Sequence, residues 1–152
     1  GKWTEVKGPF VRGKKDEPGL FAMSFVRPDA ERLFARVYFV AWDPRRVELR
    51  MVAGTREPRS STGFRGTGMI PRRPEVLRRL VATFNGGFQS VHGDYGMMLD
   101  RKLILPARPW AATVTRMADG STGMGTWPGT ASHGWTPPWM RDFRQNPSLI
   151  NS

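Results

Sequence analysis

The sequence predicts an α+β domain: a mixed, mostly antiparallel β-sheet with few short helices. Three observations point there. Gly 17 and Pro 13 together take 30 of 152 residues, which cuts the chain into short elements. The strongest apolar runs are rich in β-branched and aromatic residues. Two later stretches read apolar, turn, apolar at hairpin spacing. The length suits one domain over residues 1–152. An apolar fraction of 39% gives it a modest core.

Residues 1–19 are polar and basic and read as an opening strand or a basic N-terminal arm. LFAMSFV (20–26), stopped by Arg27-Pro28, predicts a strand. FARVYFVAW (34–42) is nearly continuous and predicts a central strand buried on both faces. VELRMVA (47–53) alternates, with Val47, Leu49, Met51 and Ala53 on one face, and is expected to close a hairpin with 34–42. Residues 54–73 read as a long loop. PEVLRRLVATF (74–84) starts with Pro and predicts about two turns of helix, passing into a strand at VATF. YGMMLDRKLIL (95–105) and AATVTRMADGSTGMGTW (111–127) are the two hairpins, turning at Asp100-Arg101-Lys102 and Ala118-Asp119-Gly120. Residues 128–141 are expected to be irregular, and DFRQNPSLINS shows no clear terminal element.

Lys+Arg 24 against Asp+Glu 13 leaves a net charge of +11. Such a balance suits an anionic partner, such as nucleic acid, a membrane surface or a phosphorylated substrate. It also suits a solvated surface in an arginine-preferring chain. Arg56, Arg59, Arg65, Arg72, Arg73, Arg78 and Arg79 make 56–79 the most basic region. The absence of Cys excludes disulfides and thiolate metal sites, and no metal or other cofactor is expected. No run approaches the ~20 apolar residues of a spanning helix, and no signal peptide is visible.

FNGGFQSVHGDYGMM (84–98) is the stretch richest in chemistry. Asn85-Gly86-Gly87 permits close backbone approach and can aim N–H groups at an anion. His92 and Asp94 stand two apart, on one side if the backbone is extended. The same residues also read as a tight turn with a surface histidine, because Asn-Gly turns are common. No Gly-Lys-Ser/Thr closes a Walker loop. Arg116 reads either as a pocket residue or as part of a solvated strand face. Trp127, Trp135 and Trp139 read either as a sugar-stacking platform or as caps on an irregular core edge. His133, Gln145 and Asn146 have no assignable role.

ATFNGGFQSVHGDYGMMLDRKLILP resembles the Asn-Gly-Gly-Phe segment of the phosphodiester glycosidase family, the family of the lysosomal uncovering enzyme. The matching features are the strand VATF, the motif Asn85-Gly86-Gly87-Phe88, the Gly-led strand Gly96-Met97-Met98-Leu99 and the turn Asp100-Arg101-Lys102. The likeness extends over roughly residues 46–147 and is strongest over 82–122. It implies hydrolysis of a sugar-1-phosphodiester on an exported glycoconjugate, hence an extracellular or periplasmic setting. Asn85, Gly86 and Gly87 would lie in the pocket. Arg65 and Arg116 would bind substrate, and Asp94 or His92 would move the proton.

Two departures stand out. Arg101 replaces the family's usual Gly, and the family's later Asn-Leu-Asp-Gly-Gly-Gly segment has no counterpart here. The chain is therefore expected to be either the N-terminal part of a catalytic domain or a shortened relative, active or inactive. The competing expectation is a non-enzymatic basic module that binds nucleic acid or another polyanion.

Overall fold

The computed structural model describes residues 2–8, 11, 16–130 and 134–148. They form two compact units, residues 1–48 and 49–152. Every strand pairing among the described residues is antiparallel, and helix is confined to two short turns, so the architecture is α+β dominated by sheet. No helix among the described residues is long and apolar enough to cross a membrane.

The N-terminal unit holds a three-stranded sheet in the order β1 (Thr4–Glu5), β2 (Phe21–Val26), β3 (Val37–Trp42). The strand expected at 20–26 is β2, and part of the N-terminal stretch pairs with it as β1. The run at 34–42 departs from expectation: β3 is an edge strand, and Val37 to Val40 are all exposed. Its continuous apolar character reflects β-propensity and not double-sided burial. Asp43-Pro44 ends it. The Asp43 carboxylate accepts the Arg45 N–H at 2.9 Å and pairs with its guanidinium, which holds its pKa down to about 2.

Segment 47–53 does not close a hairpin. β3 takes β2 as its partner, and 47–53 joins no ladder among the described residues. Its alternation is nonetheless real: Val47, Leu49, Met51 and Ala53 are at least partly buried, and the residues between them are exposed.

The C-terminal unit holds a five-stranded sheet in the order β5-β4-β8-β6-β7. β4 (Met97–Leu99) and β5 (Lys102–Leu105) form the first expected hairpin, and β6 (Ala112–Met117) and β7 (Thr122–Thr126) form the second. The first turn has φ of 45° at Asp100 and 65° at Arg101, the two positive values of a type I′ turn. A glycine would sit there without strain. Arg101 is held instead by its guanidinium, which donates to Pro137 O at 2.6 Å and Met140 O at 2.9 Å. The second hairpin closes through Gly120 at φ 88°.

The segment that showed no terminal element becomes β8 (Met140–Asn146), the central strand of this sheet. β8 pairs with β4 through Met97↔Arg144 and with β6 from Ala112↔Asn146 to Arg116↔Asp142. Its charges hid it, because Asp142 and Arg144 are buried by partners distant in sequence. Phe143 packs with Met98, Trp127 and Met140 on one face, so Trp127 is core. Ala53, Met97 and Ile104 form a second cluster. The two helical turns are α1 (Pro74–Leu77), shorter than expected and with no strand at VATF, and a 3₁₀ turn at Ser90–His92.

Candidate functional site

Three consecutive residues of β8 clasp the Asn-Gly-Gly-Phe loop. Arg144 donates from Nη2 to Phe88 O at 2.6 Å, and from Nη1 to Tyr95 O at 2.5 Å and Gly96 O at 3.3 Å. Gln145 is fully buried and bonded at both ends of its amide. Its Oε1 accepts the N–H groups of Gly96 (3.1 Å) and Arg108 (2.7 Å), and its Nε2 donates to Arg108 O and Thr113 Oγ1, both at 3.1 Å. Asn146 donates from Nδ2 to Gly86 O at 3.4 Å. Its Oδ1 is buried with no donor among the described residues, an acceptor left open beside the Gly86 backbone.

Gly87 is required by close approach. A Cβ at this position would collide with the Arg144 guanidinium. The glycine therefore lets the loop backbone rest directly on a buried cation. Among the described residues no carboxylate forms an ion pair with that cation. Burial pulls the Arg144 pKa below the ordinary guanidinium value, and the nearby Glu57 charge acts in the opposite direction.

Glu57 is the residue that the sequence reading passed over. Its Oε2 accepts the Ser90 N–H at 2.9 Å, and Ser90 Oγ accepts the Arg59 N–H at 2.9 Å. These bonds tie the arginine-rich loop to the 3₁₀ turn. Hydrogen bonding from Ser90 holds the Glu57 carboxyl below its ordinary value, with Arg59 and Arg144 adding to the effect. The only sequence signal was a carboxylate isolated among arginines.

The expected site residues divide into two groups. Asn85, Gly86, Gly87, His92 and Asp94 all lie on the clasped loop. Asn85 Oδ1 accepts the Gly87 N–H at 3.4 Å, and the Asn85 side chain is exposed. His92 and Asp94 are exposed but do not share one side of an extended strand. The backbone runs through the 3₁₀ turn, Gly93 at φ 131° and Asp94 at φ 43°. His92 instead meets Phe88 edge-on, with ring centroids 5.8 Å apart.

Arg65 and Arg116 are not brought to this loop. Arg65 is exposed, with no hydrogen bond or ion pair to the loop among the described residues. Arg116 is only 4% exposed. Its Nε donates to Asp142 Oδ2 at 2.6 Å, and its Nη2 reaches Asp100 Oδ1 at 3.4 Å. It is level with Asp142 on β8, four residues and so about 13 Å along the strand from the Asn146 level. It is therefore neither a pocket residue nor part of a solvated face; it closes a buried ion pair that lets β6 and β8 carry opposite charges side by side.

Of the remaining candidates, Trp135 meets Trp127 edge-on at 6.3 Å, Trp139 is exposed, and His133 lies outside the described residues. No group of three His, Asp or Glu side chains among the described residues is placed to hold a metal ion.

Comparisons with protein-family models, with curated proteins and with solved structures found no match to this chain.

Proposed function

We propose that the clasped loop binds the phosphate of a sugar-1-phosphodiester and hydrolyses the bond between the sugar and that phosphate. The observation that carries this reading is the seat of Gly87 on Arg144. It sets a buried positive charge, ion-paired to no carboxylate among the described residues, beneath the Asn-Gly-Gly backbone, the electrostatics an anionic ligand seeks.

In the proposed reaction water adds to the anomeric carbon, the anomeric C–O bond breaks, and the phosphate monoester leaves with the bonding pair. Water's proton passes to a carboxylate or imidazole. Because a phosphate monoester has a second pKa of about 6, it leaves without a strong general acid. One base therefore suffices where ordinary glycosides need two carboxyl groups. Asp94 and His92 are the exposed proton acceptors on the loop. Glu57, held ionised by Ser90, is a third acceptor from the neighbouring segment. Asn85 would orient the sugar.

Hydrolysis of a chromogenic aryl sugar-1-phosphodiester tests the reading. The chain is expected to turn it over, and Asn85→Ala is expected to lose at least about a hundredfold in kcat/KM. Folded protein that leaves the diester intact overturns it.

A second reading has its own observation. All seven arginines between 56 and 79 are exposed, a charge distribution that suits a polyanion such as nucleic acid. Binding of that kind weakens steeply with salt, whereas pocket binding of one sugar phosphate saturates and depends on the sugar.

A further inference from the structure

Beside the clasped loop lies a concavity of about 250 Å³, lined by Tyr95, Arg108, Trp110, Pro147 and Ser148 among others. Three features set it apart from an ordinary surface hollow. Trp110 has φ 63°, a left-handed conformation that costs a bulky residue roughly 1–2 kcal/mol. The strained backbone is pinned on both sides: the Trp110 N–H donates to Trp127 O at 3.0 Å, and its carbonyl accepts Ser148 Oγ at 2.9 Å. Trp110 is nevertheless 69% exposed. One side of it lies against Gly129, where a Cβ would collide with the ring. The molecule thus spends strain to hold an open aromatic face in a fixed position, a pattern that belongs to ligand platforms more than to packing.

The second component is a cation. Arg108 is exposed, and its guanidinium lies 5.5 Å from the Tyr95 ring centroid. Its Nη1 donates to Gly93 O, and among the described residues no carboxylate forms an ion pair with it. Gln145 fixes the Arg108 backbone and Gly96 with the same Oε1 atom. The concavity and the Asn-Gly-Gly loop are therefore registered by one buried amide.

We infer that Trp110, Tyr95 and Arg108 form a binding subsite for a phosphorylated pyranose, with the C–H face of the sugar on the indole and Arg108 as a second donor to the phosphate that the clasped loop binds. This rests on the proposed function, for which it would supply the sugar-holding half of the site.

The test is titration of the full chain with glucose 1-phosphate by calorimetry. It is paired with NMR of the Trp110 indole N–H, assigned by its disappearance in Trp110→Phe. The wild type is expected to bind, and the Trp110 resonance to shift. Trp110→Ala and Arg108→Gln should each weaken binding by about tenfold or more, and glucose alone or inorganic phosphate should bind at least about tenfold more weakly. Because Trp110 is mostly exposed, its truncation is expected to leave the fold intact, which the circular dichroism of each variant checks, and Trp110→Phe provides a ring-retaining control. The inference is overturned if glucose 1-phosphate does not bind, if both variants bind within about twofold of wild type, or if phosphate alone binds as tightly. Binding sensitive to Trp110 without diester hydrolysis would leave this subsite standing and remove the proposed reaction. Hydrolysis with Trp110-independent binding would do the reverse.

Discussion

Phe39 and Phe143 each sit inside a β-strand, yet one is 45% exposed and the other is fully buried. The two strands reverse what their compositions suggest. VYFVAW is entirely apolar and forms an edge; MRDFRQN is mostly polar and forms the middle of a sheet. Position in a sheet is decided by which groups find partners. β8 can be central because Asp142 meets Arg116, Arg144 meets loop carbonyls, and Gln145 has both ends of its amide bonded. β3 carries stronger β-propensity and has no strand on its outer side among the described residues.

The sharpest way to break this contrast is through the buried charges. Asp142→Ala would take from the buried Arg116 guanidinium its 2.6 Å carboxylate partner and remove the acceptor of the Asp100 N–H. It should cost ~3–5 kcal/mol in chemical denaturation followed by signals of the C-terminal sheet. If it costs less than ~1 kcal/mol, the ion pair is not what allows β8 to be central. Matched truncations follow. Phe143→Ala should cost ~3–5 kcal/mol, and Phe39→Ala should stay within ~1 kcal/mol. Equal costs would show that the two strands are equivalently packed.

These expectations also mark where the sequence was legible. Both C-terminal hairpins could be read because their turns are local events: Asp-Gly at 119–120, and Asp100 before Arg101 with apolar runs on either side. The face of 47–53 was legible from alternation, but its partner was not, because pairing is a long-range choice. β8 was not legible as a strand, since nothing within seven residues announces that Asp142 will meet Arg116, 26 positions earlier. The candidate site divides the same way. Asn85-Gly86-Gly87 could be read as a backbone motif, whereas Arg144 beneath it and Glu57 beside it depend on contacts 56 and 33 residues apart.

A smaller effect should come from Gly87→Ala. The added methyl must displace the Arg144 guanidinium, so stability should fall by ~1–3 kcal/mol. Diester hydrolysis should fall more than stability alone accounts for. A variant with unchanged activity would separate the loop's seat from its chemistry.

The smallest expected effect is on pH dependence. Glu57 has its pKa lowered by the Ser90 hydrogen bonds. Its contribution is therefore complete above the ordinary glutamate value of 4.5 and is lost as pH falls through the lower folded value. Exchange of the Ser90 amide, corrected for intrinsic rate, should accelerate in wild type as the pH is taken down past the ordinary glutamate value and through the lower folded one. In Glu57→Gln it should already be faster at pH 7, with no further acid step.

The central strand carries a timing consequence. β8 comes later in the chain than the four strands it unites, so during synthesis both hairpins emerge before the strand that joins them. Until residue 146 has left the ribosome, the inner edges of β4 and β6 wait as open templates, and Arg116 waits without its closest carboxylate. Closure then depends on contacts up to 60 residues apart, between Gly86 and Asn146. Such closure makes the last step slow relative to hairpin formation. The nascent chain is most vulnerable to mispairing in that interval, and the polar character of β8 keeps the late-arriving segment soluble until its partners are in place.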